Sequence, residues 1–231
     1  MPESLFTGRK PLPWVEGVLA VFLKDWRSEF RTRYALNAAL LFAVTTLVVV
    51  SFAIGAFGIS GDLLAAFLWV VILFSSMAGL GQVFIKEVES RTFTALRLVA
   101  RPSEVWAGKF FFNLVLLLGL EVIIIPLFFI LLNPRVSDWG GFLAVLILGS
   151  VGLAGATTLI AAIIAQAKGK GALLAGLSYP ILIPLLAAAT SGTRHLFRGD
   201  GGAGQEIQIL AAYAVVVIAA ASLLFEFIWN E

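Results

Sequence analysis

The sequence predicts an all-α polytopic membrane protein: six transmembrane helices in one permease domain over 1–231, with both termini cytoplasmic. Composition, the spacing of apolar runs and the distribution of basic residues predict it. The 231 residues are 60% hydrophobic and 13% charged, where soluble domains carry about 25% charged residues. A soluble fold of this length has too small an interior to hide that much apolar side chain. Lipid can solvate it instead.

A spanning helix needs roughly 20 apolar residues to cross about 30 Å of hydrocarbon. Six runs reach that length, at about 35–57, 63–84, 108–132, 142–165, 172–190 and 208–228. Gly58, Gly61 and Asp62 separate the first two, Asn133-Pro134-Arg135 ends the third, and Lys168-Gly169-Lys170-Gly171 reads as a tight turn between the fourth and fifth. The runs are continuous rather than alternating, which argues against a β-barrel. Residues 1–34 form a charged N-terminal segment, and no cleavable leader is expected, because the first apolar run is too long for a signal-peptide core. The absence of cysteine excludes disulfides, thiol catalysis and thiolate metal sites. A net charge of +2 gives no reason to expect nucleic acid.

Thirteen of the 16 Lys and Arg residues fall in the N-terminal segment, the second loop and the fourth loop. Only Arg135, Arg194 and Arg198 fall on the other side. The positive-inside rule therefore places both ends in the cytoplasm and calls for an even number of crossings.

Two cytoplasmic segments stand out. Val15, Leu19, Phe22, Leu23, Trp26 and Phe30 recur at helical spacing opposite Lys24, Arg27, Ser28 and Arg31, the pattern of a helix lying in the membrane interface. A core-facing soluble helix is the other reading, but the sequence offers no soluble core. The loop from Lys86 to Lys109 is too long for a turn. Thr92–Val99 can form a short helix there, stopped at Arg101-Pro102 because a residue before proline leaves the α region. Ser103 is then a candidate cap for the next helix, with Glu104 in its first turn. Such a short helix could receive force from a soluble partner. The loop reads equally as solvated chain whose charges only fix topology.

Other candidates are individually weaker. Glu121 falls near the middle of the third run, where a carboxylate costs about 2.5–3.5 kcal/mol on insertion scales. It either lines a cavity or is protonated and hydrogen-bonded to a neighbouring helix. Glu226 is close enough to the C-terminus to reach water. His195, the single histidine, is expected in an exposed loop over Ser191–Gln205, either solvated or as a haem ligand. Gly149, Gly152 and Gly155 favour close helix packing, and Pro126, Pro180 and Pro184 predict kinks. Gly199–Gly204 spells G-x-G-x-x-G without the strand and helix that motif requires, so it reads as a loop. No G-x-x-x-x-G-K-[ST] sequence, catalytic triad, carboxylate pair or metal-ligand cluster is present.

The stretch E-x-E-S-R-T-F-T-A-L-R-L-V-A-R-P-S-E-V-W-A-G-K, from Glu87 to Lys109, resembles the segment after the second helix of ABC-2-type permeases. It is most similar to the CcmB family, the haem exporter membrane subunits of cytochrome c maturation. Shared features are the acidic residue, Thr92-x-x-x-Leu96, Pro102 and a Gly-Lys opening the third helix. Pro126, the Gly-rich fourth run, the basic turn near Lys168–Gly171 and Leu182-Ile183-Pro184-Leu185-Leu186 extend the resemblance over most of the chain from about residue 30. Arg91 departs from it, standing where relatives carry glycine.

The resemblance implies a non-enzymatic permease of the inner membrane. It would pair as a probable homodimer with a separate ATPase, CcmA, and work with CcmC, CcmD and the haem chaperone CcmE. ATP would act only through the partner, and haem would be transported or transiently bound, never covalently attached. The N-terminal helix would be an elbow lying against membrane lipid, and Thr92–Val99 a coupling helix. The coupling loop would comprise Glu87, Glu89, Arg91, Thr92, Leu96, Arg97, Arg101, Pro102 and Lys109. Its charged members Glu87, Glu89, Arg91, Arg97 and Arg101 would dock on the ATPase. An ABC-2 exporter of a lipid, drug or polysaccharide, a non-transporting scaffold and an intramembrane enzyme are the rival readings.

Overall fold

The computed structural model describes residues 13–54, 59–80, 100–166 and 170–230. Seven α-helices and no strand occur among them: α1 (Trp14–Thr32), α2 (Tyr34–Ile54), α3 (Gly61–Leu80), α4 (Pro102–Leu132), α5 (Trp139–Gln166), α6 (Lys170–Arg198) and α7 (Gly204–Asn230). Five of these, α2, α3, α4, α5 and α7, are long and apolar enough to cross a membrane. Helix α6 stands where the fifth span is expected and packs against α3, α5 and α7; the side chains of 170–179 lie outside the described residues. Glu226 falls in α7, four residues before its end.

Two helices run beyond the expected apolar runs. Helix α4 starts at Pro102 rather than near 108, because proline suits the first helical position and the Glu104 carboxylate accepts the backbone N–H of Arg101 at 3.1 Å. Arg101, not Ser103, is therefore the capping residue. Its 31 residues span about 46 Å, well beyond the hydrocarbon thickness. Helix α6 continues to Arg198 and ends on Gly199, whose φ of 73° places it in the left-handed region and whose N–H returns to the His195 carbonyl. The loop expected over Ser191–Gln205 is thus largely helix.

Helix α5 is central. It meets α3, α4, α6 and α7, and its small residues are what let them approach. The indole of Trp69 in α3 lies so close to Gly149 that a β-carbon there would sit 2.2 Å from the ring. Gly152 is covered by Leu185 and Tyr213 in the same way. Trp69 also donates to Thr193 Oγ1 at 2.9 Å, tying α3 to α6 behind α5. Tyr213 Oη of α7 donates to the Ile181 carbonyl of α6 at 2.5 Å, one turn before Pro184. Helix α2 lies at the edge, where among its described side chains Ala35, Ala39, Ala43 and Leu47, one residue per turn, are buried against α3 and α4. Its other faces, with Leu41, Val49 and Phe52, are exposed, as suits a surface solvated by lipid.

Helix α1 serves two surroundings at once. Trp14, Val15, Leu19, Leu23 and Phe30 are exposed, while Gly17, Val18, Val21, Asp25 and Glu29 are buried against α4. The exposed apolar face was legible in the sequence, but the helical bundle itself supplies the core that the helix appeared to lack. Val18 and Val21 join Val105, Trp106, Phe110, Ala154 and Phe225 in one apolar cluster.

Gly149→Leu should overpack the Trp69 contact and cost about 1–3 kcal/mol or more. Unfolding in mixed micelles should show a clearly lowered midpoint, and an unchanged midpoint would contradict the packing described.

Candidate functional site: a buried polar joint between the elbow and the bundle

The contacts between α1 and the start of α4 form a continuous zip. Trp14 Nε1 donates to Ser103 Oγ at 3.3 Å. Glu104 lies over Gly17, where a β-carbon would meet its carboxylate at 2.6–2.7 Å, and Val21 lies over Gly108 at 2.7 Å. Small residues on each helix thus receive a large one from the other. Beyond them, Lys109 Nζ pairs with Asp25 Oδ2 at 3.2 Å, with the lysine side chain wholly buried and Asp25 10% exposed. Asp25 also meets Lys24 at 3.3 Å.

The same helix face fixes the start of α2. Glu29 Oε1 accepts the Leu36 N–H at 3.0 Å, satisfying a donor that the helix terminus leaves open. Only Arg33 separates α1 from α2. It takes the left-handed conformation with φ 52°, its N–H returning to the Glu29 carbonyl. Glycine is the usual residue at such a position.

Further along α4, the polar residues Lys109, Asn113 and Glu121 recur at intervals of four and eight. Asn113 Nδ2 donates to Thr158 Oγ1 at 2.7 Å, and Thr158 donates onward to the Ala154 carbonyl at 2.6 Å. Glu121, 3% exposed, lies 2.5 Å from Ser150 Oγ, which is also 2.7 Å from the Leu146 carbonyl. The Ser150 hydroxyl is thus shared between the Glu121 carboxyl and the Leu146 carbonyl. Asn113 Oδ1 and Glu121 Oε2 are buried without a hydrogen-bond partner among the described residues. Glu121 is therefore held against a neighbouring helix, in a polar seam running from α1 into the bundle between α4 and α5.

The sequence-predicted coupling residues divide. Glu87, Glu89, Arg91, Thr92, Leu96 and Arg97, with the whole Thr92–Val99 helix, lie outside the described residues. Arg101 is exposed at the cap of α4, 3.8 Å from Glu104, and Pro102 is its first helical residue. Lys109 is not in the loop at all. It sits two turns into α4, fully buried and paired, so it cannot meet a partner protein. Asp25, Glu29, Asn113, Ser150 and Thr158 went unassigned in the sequence. The signal for the first two was an acidic pair four residues apart, interleaved with Lys24, Arg27 and Arg31 in the second half of α1.

At the opposite end, His195 belongs to the last turn of α6 and is about one-third exposed. Its Nδ1 is 3.0 Å from Asp200 and its Nε2 is 3.4 Å from Glu206. Iron could reach either nitrogen only by displacing a carboxylate. Arg198 pairs with Asp62, linking α6 to α3. The Asp200 carboxyl is held below its ordinary value of 3.8, first by the hydrogen bond with His195 and then by the charges of His195 and Arg198. A depressed carboxyl favours the folded arrangement above its ordinary value, and that contribution disappears as the pH falls through the lowered one.

These features define a multi-pass helical membrane protein, with no His, Cys, Asp and Glu group that could hold a metal ion among the described residues. The family comparison gives it a place. The chain belongs to the CcmB family, whose sequence model, described as CcmB protein, matches residues 16–226. No curated protein matches the sequence. A CcmB protein is a permease subunit rather than an enzyme, the membrane component of a haem-exporting ABC transporter in cytochrome c maturation.

Lys109→Met and Asp25→Leu should each destabilise by about 3–5 kcal/mol by stranding a buried charge, and the double variant should recover most of that loss. Reversible unfolding in mixed micelles checks it, and additive losses would contradict the pairing. At the other end, His195→Gln should move the Asp200 titration up toward 3.8, measured by carboxyl-carbon NMR.

Proposed function

We propose that this chain couples ATP hydrolysis by CcmA to haem export, or to release of haem-loaded CcmE. It acts as a single permease domain of six crossings in the inner membrane, with both termini cytoplasmic, and works with CcmC and CcmD as a homodimer. The observation that carries the reading is the α1–α4 joint. Residues 81–99 lead directly into α4, and the first two turns of α4 are the part gripped by the elbow. A push on the chain ahead of Pro102 would move α1 and α4 as one body. The charge distribution supports the orientation, since the second loop shares a side with most of the basic residues. Haem enters as cargo, and ATP acts only in the partner. Any ligand role for His195 requires the Asp200 or Glu206 contact to open, so it belongs to a transported state rather than the resting one.

Arg97→Glu with Arg101→Glu should cut recovery of CcmA with the tagged protein about tenfold or more, since reversing two docking charges removes attraction and adds repulsion. Co-purification in mild detergent checks this, with CcmC recovery as the reference. Unchanged CcmA recovery favours a scaffold, and loss of both partners from the wild type points to an exporter of another substrate.

A further inference from the structure

An apolar groove of about 240 Å³ opens between α1, α2 and α4. Trp26 and Phe30 form one wall, their rings 4.5 Å apart, with Leu36 of α2 beside them. Gly119 and Ile123 belong to the opposite wall along α4. The α4 wall runs from Val115 to Ile123, about 12 Å along the helix axis. At Gly119 a β-carbon would meet nothing within 4 Å, so the groove is empty of protein beside it.

Its mouth is charged. Arg33 borders the groove, is exposed, and its guanidinium has no partner among the described residues. The bordering Glu29 carboxylate is turned to the Leu36 N–H and is 5% exposed, which leaves the accessible charge at the mouth positive. Arg33 also sits two residues before the apolar segment that begins at Ala35. The backbone conformation there suits glycine, so the arginine is carried against its own preference.

We propose that this groove binds one anionic phospholipid, an acyl chain lying against Gly119 and the phosphate on Arg33. Charge complementarity selects the phosphate, and the apolar walls select the chain. A zwitterionic headgroup brings its own cation toward Arg33 and is disfavoured.

The full chain, purified in mild detergent with equal phosphatidylglycerol and phosphatidylcholine, tests this by native mass spectrometry. The wild type should retain one phospholipid per chain, with phosphatidylglycerol favoured about fivefold, the discrimination expected of one basic residue at the surface. A β-carbon at Gly119 meets no protein atom within 4 Å, so Gly119→Leu projects its side chain into the groove; leucine also suits a helix better than glycine, so the variant should lose the lipid while remaining folded. Arg33→Gly relieves the backbone and should keep a lipid but lose the preference. Equal retention in Gly119→Leu and the wild type would overturn the proposal. So would an unchanged headgroup preference in Arg33→Gly, or a change in oligomeric state in Gly119→Leu with lipid retention unaltered.

Discussion

A lysine with no exposed surface in an apolar bundle is tolerable only if its charge is met, and Lys109 is met by Asp25 on a different helix. Much of the architecture on that side follows from this constraint. The pair requires α1 to lie against the first turns of α4, and the close approach is made possible by Gly17 and Gly108. Once α1 is fixed, Glu29 is placed to cap α2, and the single linking residue Arg33 leaves α2 little freedom of direction. Helix α1 is therefore a structural arm of α4, with one face exposed and the other in the core. Its exposed Leu19, Leu23 and Phe30 hold the arm at the membrane surface.

The polar residues beyond Lys109 extend this logic into the membrane. Asn113 and Glu121 each take a hydroxyl from α5, so α4 is joined by polar contacts to the elbow at one end and to the central helix along its length. On the proposed function, force entering at Pro102 meets a member already braced on both sides. The glycines of α5 and the Trp69–Thr193 bond carry that bracing to α3 and α6. The outer cluster of His195, Asp200, Glu206, Arg198 and Asp62 closes the far end.

The apolar runs made the spanning helices legible, since lipid solvation demands long uninterrupted segments whatever the tertiary detail. The amphipathic face of α1 and the small-residue stripe of α5 were legible for the same reason: their periodicity survives in one dimension. Where charged residues continue a helix past its apolar run, hydropathy misplaced the ends. Glu104 and Lys109 hid the first turns of α4, and Thr193 to Arg198 hid the last turns of α6. Lys109 was assigned to the loop because a lysine near a membrane boundary ordinarily faces water. Its partner among the described residues, Asp25, lies 84 residues away, and a pairing across that separation leaves no local pattern.

The central claim is that α1 and α4 move as one rigid body. The chain lacks cysteine, so spin labels can be placed directly at exposed Leu19 of α1 and exposed Phe111 of α4. The interspin distance should be measured in the assembled complex, with and without ATP. The account predicts the same distance in both states while α4 moves relative to other helices. A shift of about 5 Å, one helical turn, between nucleotide-free and ATP-bound complexes would contradict it.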